Sequence, residues 1–179
     1  EREFICAYND ASPCTTGQYT LNVSRKTISD HFGRNKGCTR AIRKWPLFCR
    51  KHYQRITYHR ALWQARKLEL IDDQLDTIER QYPGIIYKIQ LKKSEEKRLA
   101  DFARATAFAD HLDSRSLNTP TRKSKSFEAP IQVLQQLNSF LGDQKTKRDC
   151  KDTLAILRNM LNNGETKEIP SIEFLPQIP

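Results

Sequence analysis

Apolar residues recur at alternating steps of three and four along Leu68, Ile71, Leu75, Ile78 and Tyr82, the period of an amphipathic helix. Tyr58, Leu62 and Trp63 extend that helix backwards towards Cys49, and Pro83-Gly84 stops it. Ile85, Tyr87, Ile89 and Leu91 then alternate with Ile86, Lys88 and Gln90, which predicts a half-buried strand. A second helix is expected from Ser94, its N-cap, with Glu95 and Glu96 in the first turn and Leu99, Phe102, Ala103 and Ala109 on one face. Periodicity lapses over 112–128, which reads as a linker. Two more helices follow, one on Ile131, Leu134, Leu137 and Leu141, the other on Leu154, Leu157 and Leu161; Gly142 and Gly164 end them. The tail from Ile169 to Pro179 is apolar but carries three prolines, so an extended course over the helices is expected rather than a helix.

Residues 1–24 lack this regularity. Short β-like pieces, Phe4-Ile5-Cys6 and Tyr19-Thr20-Leu21, alternate with turn residues, and too few large apolar side chains are present to fold the segment unaided. Residues 25–37 suggest a short helix with Ile28, His31 and Phe32 on one face, broken by Gly33 and Gly37. The expected architecture is α+β and mainly helical: a small zinc-nucleated N-terminal module packed on amphipathic helices, with one or more short strands. The expected divisions are a zinc-binding basic module (1–60), a helix-strand-helix unit (61–111), the linker (112–128) and a helical region with an extended tail (129–179).

The cysteines explain how the first segment folds. Four of the five lie within the first 49 residues. Cys38, Cys49 and His52 form a Cys-x10-Cys-x2-His pattern, and a Cys-x2-His pair aims a thiolate and an imidazole at one point, as tetrahedral zinc requires. Cys6 and Cys14 compete for a fourth position, and spacing alone does not choose between them. Metal-binding free energy then serves as folding free energy. Such thiolates imply a reducing compartment. Cys150 falls in a helical pattern far from this chemistry, and His31, a weaker ligand candidate, reads more simply as a residue on a helix face near the site or a phosphate contact. No carboxylate lies between Asp30 and Glu69, so a general base beside the metal is missing and the expected zinc is structural rather than catalytic. Phosphate cradles of the GxxxxGK[ST] or GxGxxG type are absent from the sequence.

Charge sharpens the picture. The chain of 179 residues carries a net charge of +10, yet residues 25–60 alone hold eleven basic residues against Asp30. The remainder to 179 is nearly balanced. Localised positive charge beside a metal site is a nucleic-acid footprint. Arg34, Asn35 and Lys36, held between two glycines, are residue types that read base edges. Arg25, Lys26, Arg40, Arg43, Lys44, Arg50, Lys51, Tyr53, Gln54, Arg55 and Arg60 are the candidates for phosphate and groove contacts. The expected function is a zinc-stabilised, sequence-specific double-stranded DNA-binding domain of a nuclear transcription regulator. Two alternatives stay open: a nuclear interaction scaffold whose basic run is a localisation signal, and an RNA-binding protein. The C-terminal helices offer a surface for a protein partner or self-association. No apolar run is long enough to span a membrane.

Ser29-Asp-His-Phe-Gly-Arg-Asn-Lys36, Cys38-Thr39, Trp45 and Cys49-Arg-Lys-His-Tyr-Gln-Arg55, with Cys14-Thr-Thr-Gly17 and Ile169-Pro-Ser-Ile-Glu-Phe-Leu-Pro176, resemble a filamentous-fungal family of mostly uncharacterised proteins, some labelled as required for plant penetration. That resemblance implies a fungal nuclear protein. The Cys-x10-Cys-x2-His spacing is also similar to the plant WRC zinc domain, a DNA-binding module; the match covers Cys38, Cys49 and His52, and the upstream spacing departs from it.

Overall fold

The computed structural model describes residues 1–34, 36–108 and 127–179, and of Cys38 the backbone. Among them the architecture is α+β and helix-rich, with two small sheets. Strands β1 (Ser24–Lys26) and β2 (Leu47–Cys49) pair antiparallel, with Arg25 opposite Phe48. Helix α1 (Arg50–Tyr58) follows β2 directly. Helix α2 (Arg60–Gln81) follows after a break at His59, whose ψ of 80° leaves the helical region. The helix expected from Tyr58 through Tyr82 is therefore two helices meeting at an elbow. The seam residues Leu68, Ile71, Leu75 and Ile78 are fully enclosed, as the periodicity required.

Strand β3 (Tyr87–Leu91) is the centre of the second sheet, flanked by β4 (Gly142–Lys145) and β5 (Ile172–Pro176), both antiparallel to it. Tyr87, Ile89 and Leu91 are buried and the residues between them half-buried, the alternation expected. The tail does more than lie over the helices: it becomes β5, with Ile89 opposite Phe174 and Leu91 opposite Ile172. Its prolines sit where a sheet tolerates them, at the end of an outer strand and beyond it. All five residues of β5 are buried. The 3-10 turns Ser29–Phe32 and Gly37–Thr39 pack against this strand, and Phe32 meets both Trp45 and Phe174.

Helix α3 (Lys93–Phe108) starts one residue earlier than expected, so Ser94 is inside its first turn. The carbonyl of Lys92 accepts from the amides of Glu95 and Glu96 instead. Of the expected linker, positions up to 126 and Ala109 lie outside the described residues. Its last two residues are fixed: Phe127 packs on the core and Glu128 pairs with Arg98 at 3.5 Å. Helix α4 (Ile131–Leu137) leads through a 3-10 turn into β4. Helix α5 (Lys147–Asn162) opens with a capping box: the Asp149 amide donates to Thr146 Oγ1 at 3.1 Å, and the Thr146 amide donates to Asp149 Oδ2 at 2.8 Å. It closes with a Schellman motif in which Gly164 takes φ +71°, its amide donating to Leu161 and that of Glu165 to Met160.

In place of the helix expected over 25–37, the chain from Arg25 to Phe32 finishes β1 and makes a 3-10 turn (Ser29–Phe32), although Ile28, His31 and Phe32 are buried together. Gly33 ends the turn in the left-handed region at φ +76°, where an added Cβ would lie 2.6 Å from Leu175 Cδ2. Gly33→Ala is expected to lower stability by about 1–2 kcal/mol from the backbone conformation alone. Urea unfolding checks this, since an unchanged midpoint would mean that the turn relaxes freely.

Candidate metal centre and basic surface

Cys6, Cys14, Cys49 and His52 converge, with all four ligand atoms within 4.8 Å of one another. Three separate stretches deliver them. Cys6 makes a parallel bridge to Leu47, and the Ala7 amide donates to the Leu47 carbonyl at 2.8 Å, so the first loop runs along β2. Cys14 comes from the same loop further on. Cys49 ends β2 and is the N-cap of α1, its sulfur accepting from the His52 amide at 3.4 Å. His52 lies in the first turn of α1. The ligand-atom separations are 3.5 Å from Cys6 Sγ to His52 Nδ1, 3.4 Å from Cys49 Sγ to His52 Nδ1, and 3.8 Å from Cys14 Sγ to Cys49 Sγ. All four residues are buried and the three thiols are free. This is a Cys3His group that can hold a metal ion.

The surroundings favour the metal-binding forms. The Cys49 amide donates to Cys6 Sγ at 3.3 Å, and Thr16 Oγ1 donates to Cys49 Sγ at 3.2 Å. Tyr8 stacks on the His52 ring, centroids 4.1 Å apart and planes 4° from parallel, which fixes the ring with Nδ1 towards the sulfurs. Burial, helped by the nearby Arg55, holds the His52 imidazole neutral. Burial pushes the Cys6 thiol up to about 11. Burial acts on Cys14 in the same direction, but hydrogen bonds with Thr16, Cys49 and Cys6 together outweigh it and bring its thiol below the ordinary value. Thiolates enclosed this way need a cation, and a bound metal displaces their protons.

Both upstream candidates thus join the cluster, and the open choice between Cys6 and Cys14 disappears. Cys38 lies in a 3-10 turn (Gly37–Thr39) that packs against β5. Its side chain is outside the described residues; among the described residues the converging ligands are Cys6, Cys14, Cys49 and His52. His31 is in the core instead, its Nδ1 2.7 Å from the Ile172 carbonyl. Asp72, Asp73 and Asp76 form a second group on α2, but Lys147 and Lys151 on α5 already neutralise it, at 3.3 Å and 2.9 Å from Asp76.

Residues that the sequence patterns passed over hold the module in place. Arg66 is buried on α2, pairs with Asp10 and Glu69, and donates to the Ala7 carbonyl through Nε and Nη2, locking the loop that carries Cys6. Gln74 donates to the Lys44 carbonyl at 2.7 Å, and Gln81 donates to Ala41 while accepting from the Arg43 amide. These contacts clamp 41–44 along α2. The available signal was the presence of polar residues among the seam positions of an otherwise apolar helix face.

The basic residues are on the surface. Arg25, Lys26, Arg34, Lys36, Arg40, Arg43, Lys44, Arg50, Lys51, Gln54, Arg55 and Arg60 are exposed and Tyr53 half-buried; Asn35 lies outside the described residues. Arg50, Lys51, Gln54, Arg55 and Tyr58 fall on one arc of α1, opposite buried His52 and Ile56. Lys36 lies 3.6 Å from Glu173, and Lys26 sits 4.7 Å over the Trp45 ring. Among the described residues, none of the α1 cations has a carboxylate within ion-pair distance. Among the described residues no helix is long and apolar enough to cross a membrane. No protein-family model, curated protein or solved structure matches the chain.

Proposed function

We propose that the chain is a zinc-stabilised module that binds double-stranded DNA in the nucleus, as part of a transcription regulator. Zinc is the metal that suits the donor set. Bond lengths of about 2.3 Å to sulfur and 2.0–2.1 Å to nitrogen give tetrahedral edges of about 3.8 Å (S–S) and 3.5 Å (S–N). The separations of 3.8 Å between two sulfurs and 3.4–3.5 Å from sulfur to nitrogen agree with those edges. Four protein ligands leave no open position, as in structural sites.

The observation that carries the DNA reading is the uncompensated basic stripe of α1, a helix whose first turn holds two metal ligands. Fixed by the metal, α1 presents Arg50, Gln54 and Arg55 to a groove, residue types that pair with guanine and adenine edges. Arg25, Lys26, Arg34, Lys51 and Arg60 supply phosphate contacts. The ion pair of Lys36 with Glu173 makes the 34–36 turn secondary to α1.

Selection from random duplexes, with and without a zinc chelator, tests the reading. A defined site should emerge only with metal. Arg50→Ala and Arg55→Ala should each weaken binding to that site by about 1–3 kcal/mol if they read bases. Lys51→Ala should instead reduce the slope of log affinity against log salt by about one. Chelator-insensitive binding without preference would sink the proposal. Tighter binding to single-stranded or duplex RNA would move it to the RNA reading.

A further inference from the structure

Helices α2 and α5 run side by side in opposite directions. Lys147 and Lys151 at the start of α5 meet Asp76 late in α2, and the far ends of both helices border a common cavity of about 810 Å³. The cavity exists because α2 carries alanines, Ala61 and Ala65, where its later turns carry large side chains. Half-buried Leu161 and Phe127 form the apolar floor, with enclosed Leu68 beneath it. Three cations stand on its rim, Arg60, Arg158 and Lys167, and among the described residues none has a carboxylate within ion-pair distance. The two rim carboxylates are engaged: Glu69 pairs with Arg66 at 2.8 Å, and Glu168 accepts from Gln64.

We propose that this groove is a docking site for an acidic amphipathic helix of a partner protein. Two antiparallel helices with small residues at i and i+4 leave room for a third helix to approach closely, and its apolar stripe would fill the space that the alanines leave. The unpaired rim cations select carboxylates on the flanks of that helix. The volume is in the range of ordinary ligand pockets and accommodates several apolar side chains. Arg158 and Lys167 lie on or after α5, outside the basic stripe of α1, so these two cations can be changed without touching the proposed DNA contacts, whereas Arg60 borders both surfaces.

Selection of the full chain against a displayed library of amphipathic helical peptides about 15 residues long, roughly four turns, tests the proposal. The expected winners carry apolar residues at i, i+4 and i+7 with Asp or Glu beside them. Ala65→Trp fills the groove from an exposed position and should weaken binding of the winners at least tenfold. Arg158→Glu with Lys167→Glu should do the same while leaving metal content and duplex binding unchanged. No enrichment, winners without acidic residues, or winners that bind both variants as well as the parent would overturn the proposal. So would concentration-dependent dimerisation abolished by Ala65→Trp, which would show a second copy of the chain in the groove.

Discussion

Removing the metal is expected to unfold the first sixty residues while leaving α2, α5 and the three-stranded sheet largely formed. Residues 1–20 contain no strand or helix longer than a bridge, and they are held to the rest chiefly by Cys6 and Cys14 at the cluster, Tyr8 against His52 and Phe48, the Arg66 and Gln18 hydrogen bonds and the Leu47 bridge. Apparent binding energies for structural zinc in small peptides run about 10–16 kcal/mol near neutral pH, more than such a loop gains from its own contacts. Chelation should therefore expose this segment to limited proteolysis before any other. Cys49→Ser is expected to have the same effect, because Cys49 Sγ lies close to Cys14 Sγ, His52 Nδ1 and Thr16 Oγ1 at once. Metal content by mass spectrometry should be one per chain in the parent and in Cys38→Ser, and near zero in Cys49→Ser. Loss of metal from Cys38→Ser would mean that the ligand set is not Cys6, Cys14, Cys49 and His52.

Lowering the pH is expected to cost stability through His31. Its Nδ1–H donates to the Ile172 carbonyl, and its Nε2 is buried without a partner. Protonation would place a charge at that atom in the core, and burial pushes the pKa down from 6.5 to about 4, with the nearby Lys67 adding to the effect. The unfolded chain therefore takes up this proton before the folded one. The contribution is whole above about pH 6.5 and is lost as the pH falls towards 4, amounting to about 3 kcal/mol over that window. Urea unfolding at a series of pH values measures it. His31→Phe should be less stable at neutral pH, because the Ile172 carbonyl loses its donor, yet its stability should fall less steeply between pH 6.5 and 4. Parallel slopes would assign the acid sensitivity to other groups, the metal ligands foremost.

Local periodicity exposed much of this design. The α2 seam, β3 and the apolar faces of α4 and α5 follow from spacing because each buries one face against a neighbour. Cys49 and His52 were legible for the same reason, since a single helical turn brings them together. Cys6 and Cys14 were visible as candidates, but their place was not, because Cys6 reaches His52 across 46 residues through the pairing of the first loop with β2. The 3-10 turn at Ser29–Phe32 hid behind a helix-like pattern because Gly33 and the packing of β5 override propensity there. Arg66, Gln74 and Gln81 carried no pattern of their own in the sequence. Only the course of the N-terminal loop and of 41–44 along α2 shows that they are fasteners.

Strand β5 has a consequence for how the chain comes into being. His31 and Phe32, in the N-terminal module, rest against Ile172 and Phe174. During translation the metal ligands leave the ribosome once His52 has emerged, while β5 follows more than a hundred residues later. A nascent chain can thus load its metal early but keeps the apolar side of the 29–39 segment bare until synthesis passes Pro176. In that interval this surface is a natural place for a chaperone to hold the chain, and release of the chaperone would coincide with the arrival of the strand that seals it.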